Sequence, residues 1–193
     1  LVMLIHLRSH RTFYDDRITK NFPKISILIP AFNEEKSIAE TINAIKQVDY
    51  PEHLKEIIVI DDKSTDHTLE ILRKINGIKV ITKDKNTRKA DTLNIGIKEA
   101  TGEIIAVTDA DSFPEPDAFK KMVGYFDDLK VGGVTSTILV KDPKNILEKF
   151  QAIEYYLIAW GRKILDNLDS VYVTPGPLSM YRKKVLEEVG GFD

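Results

Sequence analysis

The sequence predicts an α/β fold built on a mostly parallel sheet with crossover helices. Short apolar runs rich in Ile and Val alternate four times with amphipathic segments, which is the pattern of such a sheet. Runs of this kind are typical of strands buried on both faces. A chain of 193 residues that is 42% hydrophobic is large enough for one domain with a sizeable core.

Each predicted element is bounded by turn residues or helix signals. Strands are expected at 25–29, 54–60, 78–82, 103–108 and 131–140, with brief pairing at 171–173. Helices are expected at 34–48, from 64 or 65 to 75, at 90–100, at about 115–126, at 145–168 and at 182–189. Asn33 is a predicted helix cap, and Gly102 and Gly190 are predicted helix stops.

Composition excludes several classes of protein. A net charge of −2 and a pI near 6.1 argue against a general nucleic-acid binder, which normally carries a basic face. The chain has no cysteine, so disulfide frameworks and thiolate metal sites are ruled out.

The first residues are apolar and then basic. Leu1–Leu7 is too short to cross a membrane, which takes about 20 apolar residues, and Arg8 and Arg11 follow it. The segment is either a frayed amphipathic start or the end of a transmembrane helix, with its basic residues on the cytoplasmic side. We expect the second, followed by a linker up to residue 24.

Acidic or polar residues follow three of the predicted strands. They are Asn33-Glu34-Glu35, Asp61-Asp62 and Asp109-Ala110-Asp111. Parallel strands end at the same edge of a sheet, so these groups should share one crevice. Carboxylates crowded together repel unless a cation or ligand neutralises them, and two at a strand end suit a hard cation. Each group taken alone also fits a cap, an Asx turn or a solvated loop.

Lys89 precedes the helix that leads into the strand at 103–108. A lysine at a helix N-terminus suits a phosphate, which also gains the exposed backbone amides, and Arg88 is placed to assist. The chain has neither a P-loop nor a dinucleotide-binding glycine motif after its first strand.

Taken together, these segments resemble the family 2 inverting glycosyltransferases. The motifs are Pro30–Glu35 (PAFNEE), Ile60–Asp66 (IDDKSTD), Lys89–Asn94 (KADTLN) and Gly102–Asp111 (GEIIAVTDAD). Gly176–Arg182 (GPLSMYR) and Gly190–Asp193 (GGFD) resemble the membrane-bound, often processive branch that includes hyaluronan and chitin-oligosaccharide synthases. The family commonly has Gly where this chain has Arg88, which affects the expected path of that loop.

The resemblance implies a GT-A type, Rossmann-like fold and a role for each matching residue. Residues 25–140 would bind the nucleotide-sugar, and 141–193 would begin the acceptor-binding half. Phe32 or the backbone from Pro30 would line the uracil, with Glu34 beside it, and Asp62 would accept a hydrogen bond from the base. Further along, Lys89 would face the diphosphate, Asp109 the ribose or metal shell, and Asp111 would bind Mn²⁺ or Mg²⁺. Gly176, Tyr181 and Arg182 would shape the acceptor side.

The implied reaction moves a sugar from a UDP-sugar to the hydroxyl of a saccharide or lipid-linked acceptor, with inversion. It would take place at the cytoplasmic side of a membrane, in polysaccharide or glycan synthesis. The family's general base lies beyond the GGFD segment, so none is assigned up to Asp193. A chain ending there is expected to bind donor and to transfer sugar slowly or not at all.

Other functions fit parts of the pattern. A nucleotidyltransferase would carry a Gly-rich basic loop after the first strand, where this chain has Phe32–Glu35. A phosphatase would carry its acidic pair after the first strand, whereas the pair here follows the fourth. A nucleotide-binding module without catalysis would keep the same motifs, and hydrolysis of UDP-sugar would separate it from an enzyme.

Overall fold

The computed structural model describes residue 19 and residues 21–166, 168, 170–171, 173–174 and 176–193. The predicted membrane segment at residues 1–7 lies outside this part. None of the helices in the described part has both the length and the apolar content needed to cross a membrane. The chain divides into two compact units, one with residues 17–135 and 175–193 and one with residues 1–16 and 136–174.

The first unit is organised around a six-stranded sheet. Its strands are β1 (Ile25–Ala31), β2 (Lys55–Asp61), β3 (Lys79–Thr82), β4 (Ile104–Val107), β5 (Gly133–Thr135) and β6 (Ser179–Arg182). Their order in the sheet is β3-β2-β1-β4-β6-β5. The first four are parallel, while β6 runs antiparallel to both β4 and β5. The predicted mostly parallel α/β fold is therefore confirmed.

Within the described residues, five α-helices belong to this unit and one belongs to the second unit. They are α1 (Ile38–Gln47), α2 (Thr68–Arg73), α3 (Lys89–Glu99), α4 (Ala118–Val123), α5 (Ile146–Asp166, second unit) and α6 (Lys183–Val189). Short 3₁₀ helices lie at Glu52–Leu54 and Gly124–Asp127.

The sheet separates two hydrophobic cores. Successive residues of a strand point to opposite faces, so Ile27 enters one core and Leu28 the other. Ile42 of α1 and Phe119 of α4 pack on the first face, and Leu93 of α3 packs on the second. Burying one such side chain contributes about 1.5–3 kcal/mol, so the cores fix where the strand ends lie.

The second unit contains the 21-residue helix α5, whose start is set by a capping box. The backbone N–H of Glu148 donates to Asn145 Oδ1 at 2.9 Å, and the N–H of Asn145 donates back to Glu148 Oε2 at 3.3 Å. The helix predicted for this segment is confirmed.

Some local predictions are wrong. The first helix begins at Ile38, because Asn33 has a φ of +57° and its side chain accepts from Thr65 N–H instead of capping. Gly102 does not stop a helix, since α3 already ends at the extended Ala100. Gly102 instead lies against Ser26 of β1, where a Cβ added to the glycine would be 2.6 Å from the Ser26 nitrogen.

Two strand predictions also need correction. The predicted strand at 131–140 shrinks to Gly133–Thr135, because β6, its partner among the described residues, pairs with just these three. Residues 171 and 173 are in no strand, whereas Ser179–Arg182, which was not predicted as a strand, joins the sheet. Residues 176–193 consequently belong to the sheet unit.

Candidate functional site

A cleft of about 410 Å³ opens at the carboxyl ends of β1, β2 and β4. This is the edge at which open α/β sheets bind their ligands. Seven of the ten predicted site residues line it: Pro30, Phe32, Glu34, Asp62, Lys89, Asp109 and Asp111. The structure thus brings together residues that are up to 81 positions apart in the chain (111 minus 30).

The turn after β4 presents both aspartates of the Asp-Ala-Asp motif to the cleft. Its backbone is fixed at both ends: Thr108 N–H donates to Leu28 O at 3.1 Å, and Ser112 N–H donates to Asp109 O at 3.3 Å. Between them, the buried hydroxyl of Thr41 donates to Ala110 O at 2.8 Å. Helix α1 therefore holds the middle of the motif.

Lys89 and Asp109 form an ion pair across the cleft. Lys89 is the first residue of α3, and the N-cap residue Arg88 makes no side-chain hydrogen bond to the helix. Gly176 lies against this pair, because a Cβ added there would be 3.0 Å from Lys89 Nζ and 3.4 Å from Asp109 Oδ1. The predicted Gly176 is thus beside the cleft without being among its lining residues.

Asp62 is buried at the end of the cleft nearest β3, where β2 ends. Its carboxylate accepts from Lys83 Nζ at 2.6 Å and from Thr87 N–H at 3.1 Å. Asn86 Nδ2 donates to the Asp62 carbonyl at 3.1 Å. Asn86 and Thr87 line the cleft, yet sequence reasoning missed them; the available signal was a polar loop directly after the carboxyl end of a parallel strand.

The loop after β1 is tied to the loop after β2. Asn33 N–H donates to Ser64 Oγ at 3.0 Å, and Glu34 N–H donates to Thr68 Oγ1 at 2.8 Å. The Glu34 carboxylate accepts from Ser37 Oγ at 2.7 Å. Phe32 remains 46% exposed beside these contacts, so an aromatic face is available at the cleft.

An exposed charged pair reinforces the same junction. Glu35 accepts from the backbone N–H of His67 at 3.0 Å and contacts His67 Nδ1 at 2.9 Å. The backbone N–H bond lowers the pKa of Glu35, and the Glu35 carboxylate raises the pKa of His67. Neither side chain lines the cleft, so the pair is part of its support.

Tyr181 and Arg182 are not among the residues that line the cleft. Because β6 is antiparallel to β4, Arg182 pairs with Ile104 at the amino end of that strand, away from the acidic turn. The Arg182 guanidinium donates to the carbonyls of Phe126 and Val131 at 2.6 and 2.9 Å. Tyr181 packs edge-on against Phe192, with ring centroids 5.5 Å apart. Through these contacts, both side chains contribute to the packing of the fold.

The donor set at the acidic turn fits a hard divalent cation. Within the described residues, no group of three or more His, Cys, Asp or Glu side chains is arranged to hold a metal alone. Asp109 and Asp111 nevertheless both face the cleft, and Mg²⁺ typically takes one or two carboxylates together with substrate phosphates. A cation at this position would complete its shell with a bound diphosphate.

Two curated proteins are similar to this chain in sequence. The probable glycosyltransferase YdaM of Bacillus subtilis (strain 168) is 36% identical over 187 residues, covering 90% of this chain and 44% of the relative. The poly-beta-1,6-N-acetyl-D-glucosamine synthase of Staphylococcus epidermidis is 33% identical over 174 residues, covering 88% of this chain and 42% of the relative. The chain therefore spans less than half the length of these two relatives.

Solved structures share the fold, and a family model matches the sequence. Mannosyltransferase PcManGT from Pyrobaculum calidifontis, in complex with GDP-Man and Mn²⁺, gives a TM-score of 0.77 at 25% identity, over 100% of this chain and 54% of that one. S. aureus TarS 1-349, in complex with UDP-GlcNAc, gives 0.65 at 22% identity, over 86% of this chain and 47% of that one. The predicted GT-A type of fold is confirmed by these likenesses. The model described as glycosyl transferase family 2 matches residues 26–190, and this chain belongs to that family.

Proposed function

We propose that the chain forms the donor-binding part of an inverting glycosyltransferase that transfers a sugar from a UDP-sugar to an acceptor hydroxyl. The observation that carries the proposal is the convergence of Asp62, Lys89, Asp109 and Asp111 on one cleft. Together they supply an acceptor for a base, a cation for a diphosphate and two carboxylates for a metal. Each group matches one part of a nucleotide-sugar.

The nucleobase would lie between Phe32 and Asp62. Phe32 offers an exposed aromatic ring for stacking, and stacking a base on an aromatic ring is worth about 1–3 kcal/mol. The Asp62 carboxylate would accept a hydrogen bond from the N–H of the uracil ring. Glu34 lines the same cleft, with its carboxylate turned toward Ser37.

The diphosphate would lie between α3 and the acidic turn. Lys89 Nζ and the backbone amides of the first turn of α3 would both face its oxygens. Asp109 and Asp111 would hold a divalent cation, and Mn²⁺ is the first candidate because it is present in the PcManGT complex. When bound, such a cation neutralises charge on the departing diphosphate. Gly176 would keep the space beside Lys89 clear of a side chain.

The wider setting is also a proposal. The name of the S. epidermidis relative supports polysaccharide synthesis with a saccharide acceptor, and a lipid-linked acceptor is the second possibility. A membrane location with the catalytic part on the cytoplasmic side is a prediction from residues 1–11. The boundary at residue 140, the acceptor-side role of Gly176, Tyr181 and Arg182, and slow sugar transfer by this chain also stay predictions.

Calorimetry with UDP, with and without Mn²⁺ or Mg²⁺, tests the donor site. We expect metal-dependent binding that Asp111→Asn weakens at least tenfold, because the substitution removes a charged metal ligand. Asp84→Asn is the matched control, since Asp84 is exposed and does not line the cleft. Equal UDP binding by Asp111→Asn and wild type in the presence of metal would remove Asp111 from the metal site. Tighter binding of GDP than of UDP would overturn the choice of donor.

A further assay separates an enzyme from a binding module. Incubation with UDP-N-acetylglucosamine and Mn²⁺ should release UDP slowly, because water takes the place of the acceptor hydroxyl. If wild type releases UDP and Asp111→Asn does not, the result supports an enzyme. Tight UDP binding without any release favours the module.

A further inference from the structure

Lys83, directly after β3, is a buried cation whose side-chain hydrogen bonds to described residues go to residues of the cleft. Its side chain is only 8% exposed. Its Nζ lies 2.6 Å from Asp62 Oδ1 and 2.8 Å from Thr92 Oγ1, and it also donates to Thr87 Oγ1. Those three partners line the cleft, and Lys83 itself does not.

An ammonium group has three N–H donors. The three contacts therefore use all of its donors and leave none for a bound molecule. Its hydrogen bonds can therefore affect a ligand only through Asp62, Thr87 and Thr92.

The charge of Lys83 is balanced locally. A buried charge is costly unless it is paired and hydrogen-bonded. The Asp62 side chain is 9% exposed and supplies the opposite charge. Removing the lysine would leave this carboxylate buried without its cation, so the two groups depend on each other for their positions.

Lys83 also joins three separate parts of the fold. Asp62 follows β2, Thr87 belongs to the loop before α3, and Thr92 lies in the first turns of α3. The Thr92 hydroxyl donates a hydrogen bond to Arg88 O at 3.3 Å, and Thr87 N–H donates to Asp62 Oδ1 at 3.1 Å. These bonds occupy Asp62 Oδ1, so Oδ2, which shares only the longer 3.3 Å contact with Thr87 N–H, has capacity for a ligand.

We propose that Lys83 is the positioning residue of the nucleobase end of the donor site. Lys83 orients Asp62 so that one carboxylate oxygen accepts a hydrogen bond from the base. It also balances the charge of the aspartate, so that the part of the cleft beside Asp62 binds a neutral N–H donor instead of a second cation. The inference rests on the proposed function, because it assigns the base to this end of the cleft.

The test compares Lys83→Met with wild type in calorimetry, using UDP and inorganic pyrophosphate, each with Mn²⁺. We expect Lys83→Met to weaken UDP binding about tenfold or more and to change pyrophosphate binding less than twofold, because only UDP carries the base. Lys85→Met is the matched control: it removes an exposed lysine from the same loop and should leave both affinities unchanged. Binding stoichiometry is recorded as well, since a simple folding defect lowers the fraction that binds without altering the affinity.

A double-mutant cycle with Asp62→Asn distinguishes positioning from direct contact. If Lys83 acts through Asp62, Lys83→Met should add less than a twofold loss in the Asp62→Asn background. The same background keeps the comparison possible should Lys83→Met alone not fold, because the double variant leaves no buried carboxylate without its cation.

Three results would overturn the inference while leaving the proposed function standing. They are unchanged UDP affinity in Lys83→Met, an equal loss for pyrophosphate, and full additivity with Asp62→Asn. Absence of binding of both UDP and GDP to the wild-type chain would overturn the proposed function itself.

Discussion

A single buried hydroxyl, that of Thr41, fixes the acidic turn on which the proposed metal site depends. Its partner, the Ala110 carbonyl, lies between the two aspartates, and both residues are buried. Water cannot easily replace this hydrogen bond at a buried position, so the Thr41 hydroxyl affects both the stability of the protein and the orientation of the two carboxylates.

Thr41→Val keeps the shape of the side chain and removes the donor. We expect a loss of about 1–3 kcal/mol in the free energy of unfolding, because a buried carbonyl is left without its partner. We also expect UDP binding in Mn²⁺ to weaken several-fold, since Asp109 and Asp111 lose a fixed backbone. Urea denaturation and calorimetry measure the two effects. Thr41→Ser retains the hydroxyl and should recover most of the binding; if it binds as weakly as Thr41→Val, the hydrogen bond is not the cause.

Residues that directly follow apolar strands were predictable from the sequence. Asp62, Asp109 and Asp111 could be placed on one edge because the end of each strand is marked in the sequence. The role of Lys83 could not be predicted, because it depends on Asp62, which is 21 positions away and follows a different strand. Arg182 was grouped with the site residues because of the family resemblance, and nothing local in the sequence shows that its guanidinium also bonds to the carbonyls of Phe126 and Val131.

At the scale of elements, α3 depends on a glycine for its close approach to the sheet. A Cβ at Gly96 would lie 2.9 Å from Ile60 Cδ1 and 3.1 Å from Leu28 Cδ1. Helix α3 carries Lys89 at its start, so its distance from the sheet also sets the width of the cleft.

Gly96→Val should destabilise the protein by about 1–3 kcal/mol through overpacking against β1 and β2. Urea unfolding measures the loss. Gly161→Ala in α5 is the comparison, because among the described residues no heavy atom outside the neighbouring helix backbone lies within 4 Å of the Cβ that would be added there. That change should not destabilise, since alanine favours a helix over glycine by about 1 kcal/mol. Unaltered stability of Gly96→Val would mean that α3 shifts freely on the sheet.

The first two apolar runs were predicted as strands with small errors at their ends, whereas the strand Ser179–Arg182 was missed. Ile25–Ala31 and Lys55–Asp61 carry enough Ile and Val to identify them. Ser179–Arg182 has only four residues of mixed polarity, and its place in the sheet comes from pairing with β4 and β5. The predicted strand at 131–140 was too long because its end is set by that same partner.

In the molecule as a whole, the two ends of the parallel strands make different contacts. The cleft lies at the carboxyl ends of the strands. At their amino ends, Glu56 Oε1 accepts hydrogen bonds from Thr101 N–H at 2.5 Å and from Thr101 Oγ1 at 2.9 Å. Glu56 also accepts from Ser26 Oγ, which in turn accepts from Gly102 N–H at 2.7 Å. This cluster joins β1, β2 and the turn into β4.

Glu56→Gln should lower the free energy of unfolding by about 1–2 kcal/mol at neutral pH, because the bonds lose their charged acceptor. UDP affinity should stay unchanged, since the cluster lies at the other edge. Partial burial raises the pKa of Glu56, but the bonds from Ser26 and Thr101 outweigh it, so the pKa lies below its ordinary value.

A lowered pKa stabilises the fold above the ordinary pKa of the carboxyl group, and this contribution is lost as pH falls through the folded value. The difference in unfolding free energy between wild type and Glu56→Gln should accordingly shrink in acid. Denaturation curves from pH 7 down to the acid limit measure it. A difference that grows in acid would contradict the assigned direction.

The antiparallel pairing of β6 with β4 also affects the order of events during synthesis. Residue 182 leaves the ribosome 75 residues after Val107 (182 minus 107), which takes roughly 4–15 s at about 5–20 residues per second. Throughout that interval the residues of the proposed donor site up to Asp111 have already been synthesised, yet one edge of β4 still lacks its neighbour. An unpaired strand edge is open to other chains, so the nascent chain passes through a period in which its central strand must be shielded until its late partner emerges.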